Sequence, residues 1–311
     1  MRKFVVNFLV FFVFSTVFYV VVLSIWSWVM PSFMAKNVRN CVGCYGHLNT
    51  RIKEIPKYKN IDVLILGSSH AYRGFDTRVF KKHGLKAFNL GSSSQTPIQT
   101  NVLLNQYLDE LTPKLVVLEV YAGTLEIDGV ESSLDLAANN KMDWNYLRTL
   151  PDLKSIHSVN SAIYGSFREL FKLNDSFVED SIQGDDKYVK GGYVETKFRK
   201  NPLKPERAKP WKIIPTQINY LKRNVKLLKS KEIPFVLVQT PISKKLYNSK
   251  TNNQEIDEML SKLGKYKNFQ GELKLNDTID FYDSNHMNQS AVQRFDEYYI
   301  QYMEKEKLMK K

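Results

Sequence analysis

Two short blocks carry the residues that could do chemistry, and they lie more than two hundred positions apart. The first is Gly67-Ser68-Ser69-His70; the second is Asp283-Ser284-Asn285-His286. A serine hydroxyl is a poor nucleophile until a base removes its proton, and a histidine suits that task. The histidine in turn needs an acidic partner to fix its tautomer and steady its positive charge. Asp283 stands three residues before His286, close enough to bond its ring. Ser69 as nucleophile, His286 as base and Asp283 as its orienter would together perform acyl transfer. The oxyanion formed on the way needs donors. Backbone amides at Ser69 and at Gly91 are the candidates, since glycine lets a backbone approach closely.

For these blocks to meet, the chain between them must be an open parallel sheet. Residues 63–66 are four apolar residues in a row, the pattern of a strand buried on both faces, and the run stops at Gly67. A second strand is expected over 85–90, ending at Gly91, and a third over 115–121. A fourth follows over 233–240, and a fifth over 278–282, leading into Asp283. Helices are expected between them. Asp76 to His83 is stopped by Gly84, and Thr96-Pro97 opens a helix that runs to about Leu111. Ile218, Leu221, Val225 and Leu228 mark one helical face, and Ala291, Phe295, Tyr298 and Tyr302 another. Strands alternating with helices imply an α/β protein of three layers with a mostly parallel, five-stranded sheet. The carboxyl edge of such a sheet binds ligands. It would carry Ser68, Ser69, Gly91, Glu119, Tyr121, Asp283 and His286 together. Arg73 is expected to pair with Asp76, and His47, His83 and His157 to lie at the surface.

These blocks resemble the SGNH or GDSL-like hydrolase family. The resemblance rests on Gly67-Ser68-Ser69-His70, on Gly91 after the second strand, and on Asp283-x-x-His286 before the last helix. It implies a flavodoxin-like α/β/α fold, Ser69 as nucleophile, His286 and Asp283 as the rest of a triad, and Gly91 as an oxyanion donor. The first block has Ser68 where the family commonly has aspartate. After the third strand the departure is larger: Glu119-Val120-Tyr121-Ala122-Gly123-Thr124 stands where the family places Gly-x-Asn-Asp. Ser68, Glu119 and Tyr121 are therefore the residues left at that edge to meet substrate or oxyanion. No cofactor and no metal is implied.

The chain has 311 residues and a net charge of +13. A surplus of that size suggests acidic partners, but neither zinc-finger spacing nor a glycine-aromatic RNA-binding signature is present, which argues against nucleic acid. Arg2 and Lys3 precede an uncharged stretch over 4–30, longer than the roughly 20 residues a membrane span requires, with Trp26 and Trp28 near its end. No Ala-x-Ala cleavage site follows, so residues 1–31 are read as an uncleaved single-pass anchor. Lysines and arginines on its two sides nearly balance. The globular part is placed outside the cytoplasm, because long domains translocate largely regardless of charge. Residues 32–60 are read as a juxtamembrane linker, and 61–306 as the α/β domain, with an insertion over about 127–212. Cys41 and Cys44 could close a small loop in an oxidising compartment, and lack the flanking strand and helix of a redox motif. An anchor followed by such a domain is similar to accessory proteins of cell-envelope acylation, which work beside a membrane-bound O-acyltransferase. The expected function is a serine esterase or acyltransferase on an acylated glycan. The alternative is a scaffold that kept the fold and lost efficient chemistry.

Overall fold

The computed structural model describes residues 1–31, 33–39 and 41–309. The uncharged N-terminal stretch forms one helix, α1 (Arg2–Val29), with a mean hydropathy of 2.7 over its most apolar 18 residues. It is long and apolar enough to cross a membrane. Most of its side chains face outward, and only Leu23, Ser24 and Ser27 near its end are buried. Cys41 and Cys44 are joined as a disulfide. The stretch read as a linker then holds α2 (Leu48–Glu54), whose Leu48 and Arg51 are fully buried.

Next come β1 (Val63–Leu66), α3 (Ser69–Tyr72), α4 (Thr77–Lys82), β2 (Ala87–Asn89), α5 (Pro97–Leu111) and β3 (Leu115–Glu119). The insertion follows: α6 (Val130–Asn139), α7 (Trp144–Leu147), α8 (Leu150–Leu153) and α9 (Ile156–Leu170), then β4 (Ile182–Gln183), β5 (Asp186–Val189) and β6 (Tyr193–Thr196). The chain closes with α10 (Pro215–Ser230), β7 (Phe235–Gln239), α11 (Lys244–Asn248), α12 (Asn253–Ser261), β8 (Tyr266–Asn268) and α13 (Gln289–Lys305).

Five strands form one sheet in the order β2-β1-β3-β7-β8, and every pairing is parallel. Leaving out the insertion, this is the 2-1-3-4-5 order of flavodoxin-like folds. Strand residues alternate between two cores, as period-2 geometry requires. Leu64, Leu66, Val116, Leu118 and Leu237 pack under α5, α10 and α12. Val63, Ile65, Val117, Val236 and Val238 pack on the other face against Phe75, Phe80, Phe295 and Tyr299. The result is three layers.

Two features differ from the sequence expectation. The fifth strand is Tyr266–Asn268, not 278–282. Asp280 accepts a hydrogen bond from the Asn276 backbone and pairs with Arg294, which curls that stretch into a turn. Phe281 stays in the core and Ile279 is exposed. The insertion carries an antiparallel sheet, β4-β5-β6. Arg73 ties that sheet to the first block through Asp186 and Thr196.

Candidate active site

The first block is a strand–turn–helix. Gly67 ends β1 with φ +149, and a side chain there would strike the Glu119 Cβ at 2.7 Å. Only glycine fits a turn that tight. Ser68 caps α3 by accepting from the His70 backbone at 3.2 Å, and its hydroxyl donates to Glu119 Oε2 at 3.3 Å. The next residue, Ser69, is thrown out at the carboxyl edge of β1.

There it meets the last block. Ser69 Oγ lies 2.7 Å from His286 Nε2, and His286 Nδ1 lies 2.8 Å from Asp283 Oδ2. The other oxygen of Asp283 accepts the backbone N–H groups of Asn285 at 2.9 Å and His286 at 2.8 Å. One carboxylate therefore shapes its own loop and orients the ring. Burial would raise the Asp283 carboxyl, but its bond to His286, the charge there and the two backbone donors outweigh it and hold it down at about 2. Asp283 stays ionised across the physiological range. Ser69 is half-buried and the His286 side chain is 17% exposed, so the pair is open to solvent.

The His286 ring sits in a stack of four. Tyr282 lies 5.3 Å on one side with the planes 4° apart, His70 lies 4.9 Å on the other, and Tyr121 lies 4.1 Å beyond His70. His70 is buried; burial first, and then the charge of His286, hold its pKa well below the ordinary range. It is a neutral wall for the base. Its Nδ1 is 3.3 Å from Thr240 Oγ1 at the end of β7. A cavity of about 10 Å³, room for about one water, lies among Ser69, His70, Thr240, Asn285 and His286.

The other expected site residues lie further back. Ser68 and Glu119 bond to each other beneath the turn, both nearly inaccessible. Burial pushes Glu119 up to about 8, against opposing hydrogen bonds from the Tyr121 backbone and from the side chain and backbone of Ser68. It is a neutral acid supporting the turn rather than a carboxylate facing substrate. Tyr121 is behind His70, with Asn285 within hydrogen-bonding reach of its hydroxyl. Gly91 packs against the first block, where an added Cβ would lie 3.0 Å from the Gly67 carbonyl oxygen. Its own N–H, however, donates to Asn89 Oδ1 at 3.1 Å.

Sequence reasoning missed several supporting residues. Arg51 is wholly buried and donates to the carbonyls of Gly91 at 2.8 Å, Gly192 at 2.8 Å and Gly46 at 2.9 Å. A lone arginine in a polar stretch gives no local sign of this. Asn89 fixes both the Gly91 N–H and, through its amide, the Ala71 carbonyl. Its place two residues before the glycine was the available clue. Arg73 pairs with Asp186 rather than with Asp76, which is taken by Arg78. Its guanidinium lies over Tyr282, 5.9 Å from the ring centre, and so backs the stack. His47, expected at the surface, is buried 3.7 Å from Glu179.

No family profile and no curated protein matches the chain. Among solved structures it is similar to a protein from Bacteroides fragilis assigned as an acylhydrolase, at 12% identity over 84% of this chain and 97% of that one, with a TM-score of 0.41. It is also similar to a GDSL-like lipase from Bacteroides thetaiotaomicron, at 11% identity over 84% of this chain and 98% of that one, with a TM-score of 0.42. Likeness at this level concerns the fold.

Proposed function

We propose that the chain is a membrane-anchored, SGNH-like serine esterase or O-acyltransferase acting on an acylated glycan outside the cytoplasm. The observation that carries this reading is the 2.7 Å contact between Ser69 Oγ and His286 Nε2, with Asp283 behind the ring. His286 takes the Ser69 proton as Oγ attacks the ester carbonyl. The backbone N–H of Ser69 faces the oxyanion. As the carbon–oxygen bond of the leaving sugar breaks, His286 returns the proton to it, leaving an acyl group on Ser69. Water or an acceptor hydroxyl then gives its proton to His286 and attacks the acyl carbon; as the bond to Oγ breaks, His286 returns the proton to Oγ and both residues are restored. Hydrolysis and transfer share this intermediate and differ in the acceptor. The net charge of +13 fits an acidic envelope polymer. The apolar α1 and the Cys41–Cys44 disulfide fit an oxidising compartment beyond a membrane. A membrane-bound O-acyltransferase would be a natural neighbour for such a domain.

One observation favours a second reading, that of a catalytically weak scaffold. The Gly91 N–H is already bonded to Asn89, and no asparagine follows β3 to replace it. Loss of one oxyanion donor costs about 10²- to 10³-fold in rate. Labelling with a fluorophosphonate separates the two. The enzyme reading expects covalent labelling of the full chain that disappears in Ser69→Ala and in His286→Ala. A parent that does not label, with Ser69→Ala cells unchanged in envelope acylation, leaves the scaffold.

A further inference from the structure

Helix α9 is built inside out. Its inward face carries Ser158, Asn160, Ser161, Tyr164, Gly165 and Arg168, all buried. Gly165 comes so close to α6 that a Cβ there would lie 2.7 Å from the Ala137 carbonyl oxygen. Its outward stripe is Ile156, Val159, Ile163, Phe167 and Leu170, spaced three and four residues apart. Ile156 is 71% exposed and Leu170 75%, and the other three are half-exposed. A helix on a water-facing domain does the reverse. Small and polar residues turned inward, with apolar ones turned outward, is the arrangement of helices packed within a bilayer.

A second observation says what lies beside the stripe. The last three turns of α1 lie along α9. Tyr19 donates its hydroxyl hydrogen to Asn160 Oδ1 at 2.7 Å, Leu23 packs with Tyr164, and the Trp28 ring is 6.4 Å from Phe167. The partners climb both helices in step, so the helices run parallel, over about 15 Å. α1 remains uncharged along this length, with Trp26 and Trp28 at its end, where tryptophan marks a membrane interface. The α9 stripe therefore stands at the depth of the last turns of the span.

We propose that α9 is a second membrane contact, its Ile156-to-Leu170 stripe lying against lipid acyl chains beside α1. This rests on α1 spanning the bilayer. The domain is then seated against the membrane through two helices instead of hanging from a tether.

Spin labels test this on the full chain in phosphatidylcholine–phosphatidylglycerol vesicles. Single cysteines are introduced by Phe11→Cys, Ile163→Cys, Leu170→Cys and Glu258→Cys; the native pair is oxidised. Positions 11, 170 and 258 are exposed, and 163 is half-buried, giving up only its contact with the Leu23–Tyr164 cluster. Collision with oxygen reports lipid, and collision with a water-soluble nickel chelate reports water. Position 163 is expected to approach position 11, and position 170, beside the tryptophan end of α1, to fall between 11 and 258, both with nickel collisions below those at 258 and oxygen collisions above. If 163 and 170 match 258 while 11 stays in lipid, the inference is overturned and the anchor stands. Water contact at 11 as well sinks the anchor itself. Low collision with both reagents at 170, which α1 leaves exposed, means that other protein covers the stripe, and that too overturns the lipid assignment.

Discussion

Replacing Glu119 by glutamine is expected to flatten the dependence of stability on pH. Glu119 is fully buried under the Gly67 turn, and burial raises it from an ordinary 4.5 to about 8. Between those values the unfolded chain has released the proton and the folded chain still holds it. The unfolded state binds fewer protons, so folding stability falls as pH rises through that window. The slope from this one group is about 1.4 kcal/mol per pH unit, of the order of 5 kcal/mol across the window. Below pH 4.5 the group contributes no slope. Glutamine cannot ionise, so the variant loses this component. Glu119 Oε1 has no hydrogen-bond partner, so an amide in its place leaves unpaired a position that is already unpaired in the parent. Asp135, raised by burial to about 7, and Asp296, held by burial well above the ordinary carboxylate range, slope the same way in both proteins and cancel in the difference. Urea unfolding of the full chain in detergent, followed at pH 5, 6, 7 and 8, reads the two curves. The glutamine variant should gain stability relative to the parent with each step up in pH. Curves that stay parallel from pH 5 to pH 8 would refute the reasoning, because they would mean Glu119 is ionised in the folded state.

Two further outcomes follow from the same contacts. Asp283→Asn removes the charge that orients His286 and steadies its protonated form; fluorophosphonate labelling of Ser69 should slow about 10³- to 10⁴-fold with the melting temperature little changed, and unaltered labelling would remove Asp283 from the mechanism. Arg51→Lys replaces a fork that reaches three carbonyls with a point charge; a loss of about 2–4 kcal/mol is expected, read as a drop in denaturation midpoint, and an unmoved midpoint would show that the fork is dispensable.

The parts of the fold that could be read from the sequence are those whose signal is local. β1, β3 and β7 are unbroken apolar runs because both of their faces are covered. β8 could not be read this way: Tyr266, Lys267 and Asn268 are a half-exposed edge strand, held by pairing to β7 rather than by burial. The run 278–282 imitated a strand because Phe281 is buried, yet Asp280 bends it. The sheet of the insertion depends on Arg73 reaching Asp186 and Arg51 reaching Gly192, partners more than a hundred residues away. The site divides in the same manner. Ser69, Asp283 and His286 stood out as reactive residues at predicted chain turns. The ring stack around His286, and the use of the Gly91 N–H by Asn89, arise only once separate strands lie side by side.

Arg51 bears on where the chain could be cut to make a soluble piece. It lies ahead of β1, in a stretch that looks dispensable, yet its guanidinium closes the gap between the turn after β2 and the insertion. A fragment beginning at Ile61 would leave the carbonyls of Gly91 and Gly192 facing a hole where that cation stood. A start between α1 and Cys41 would spare it, and the working limit of the folded unit is therefore set by a side chain rather than by the first strand.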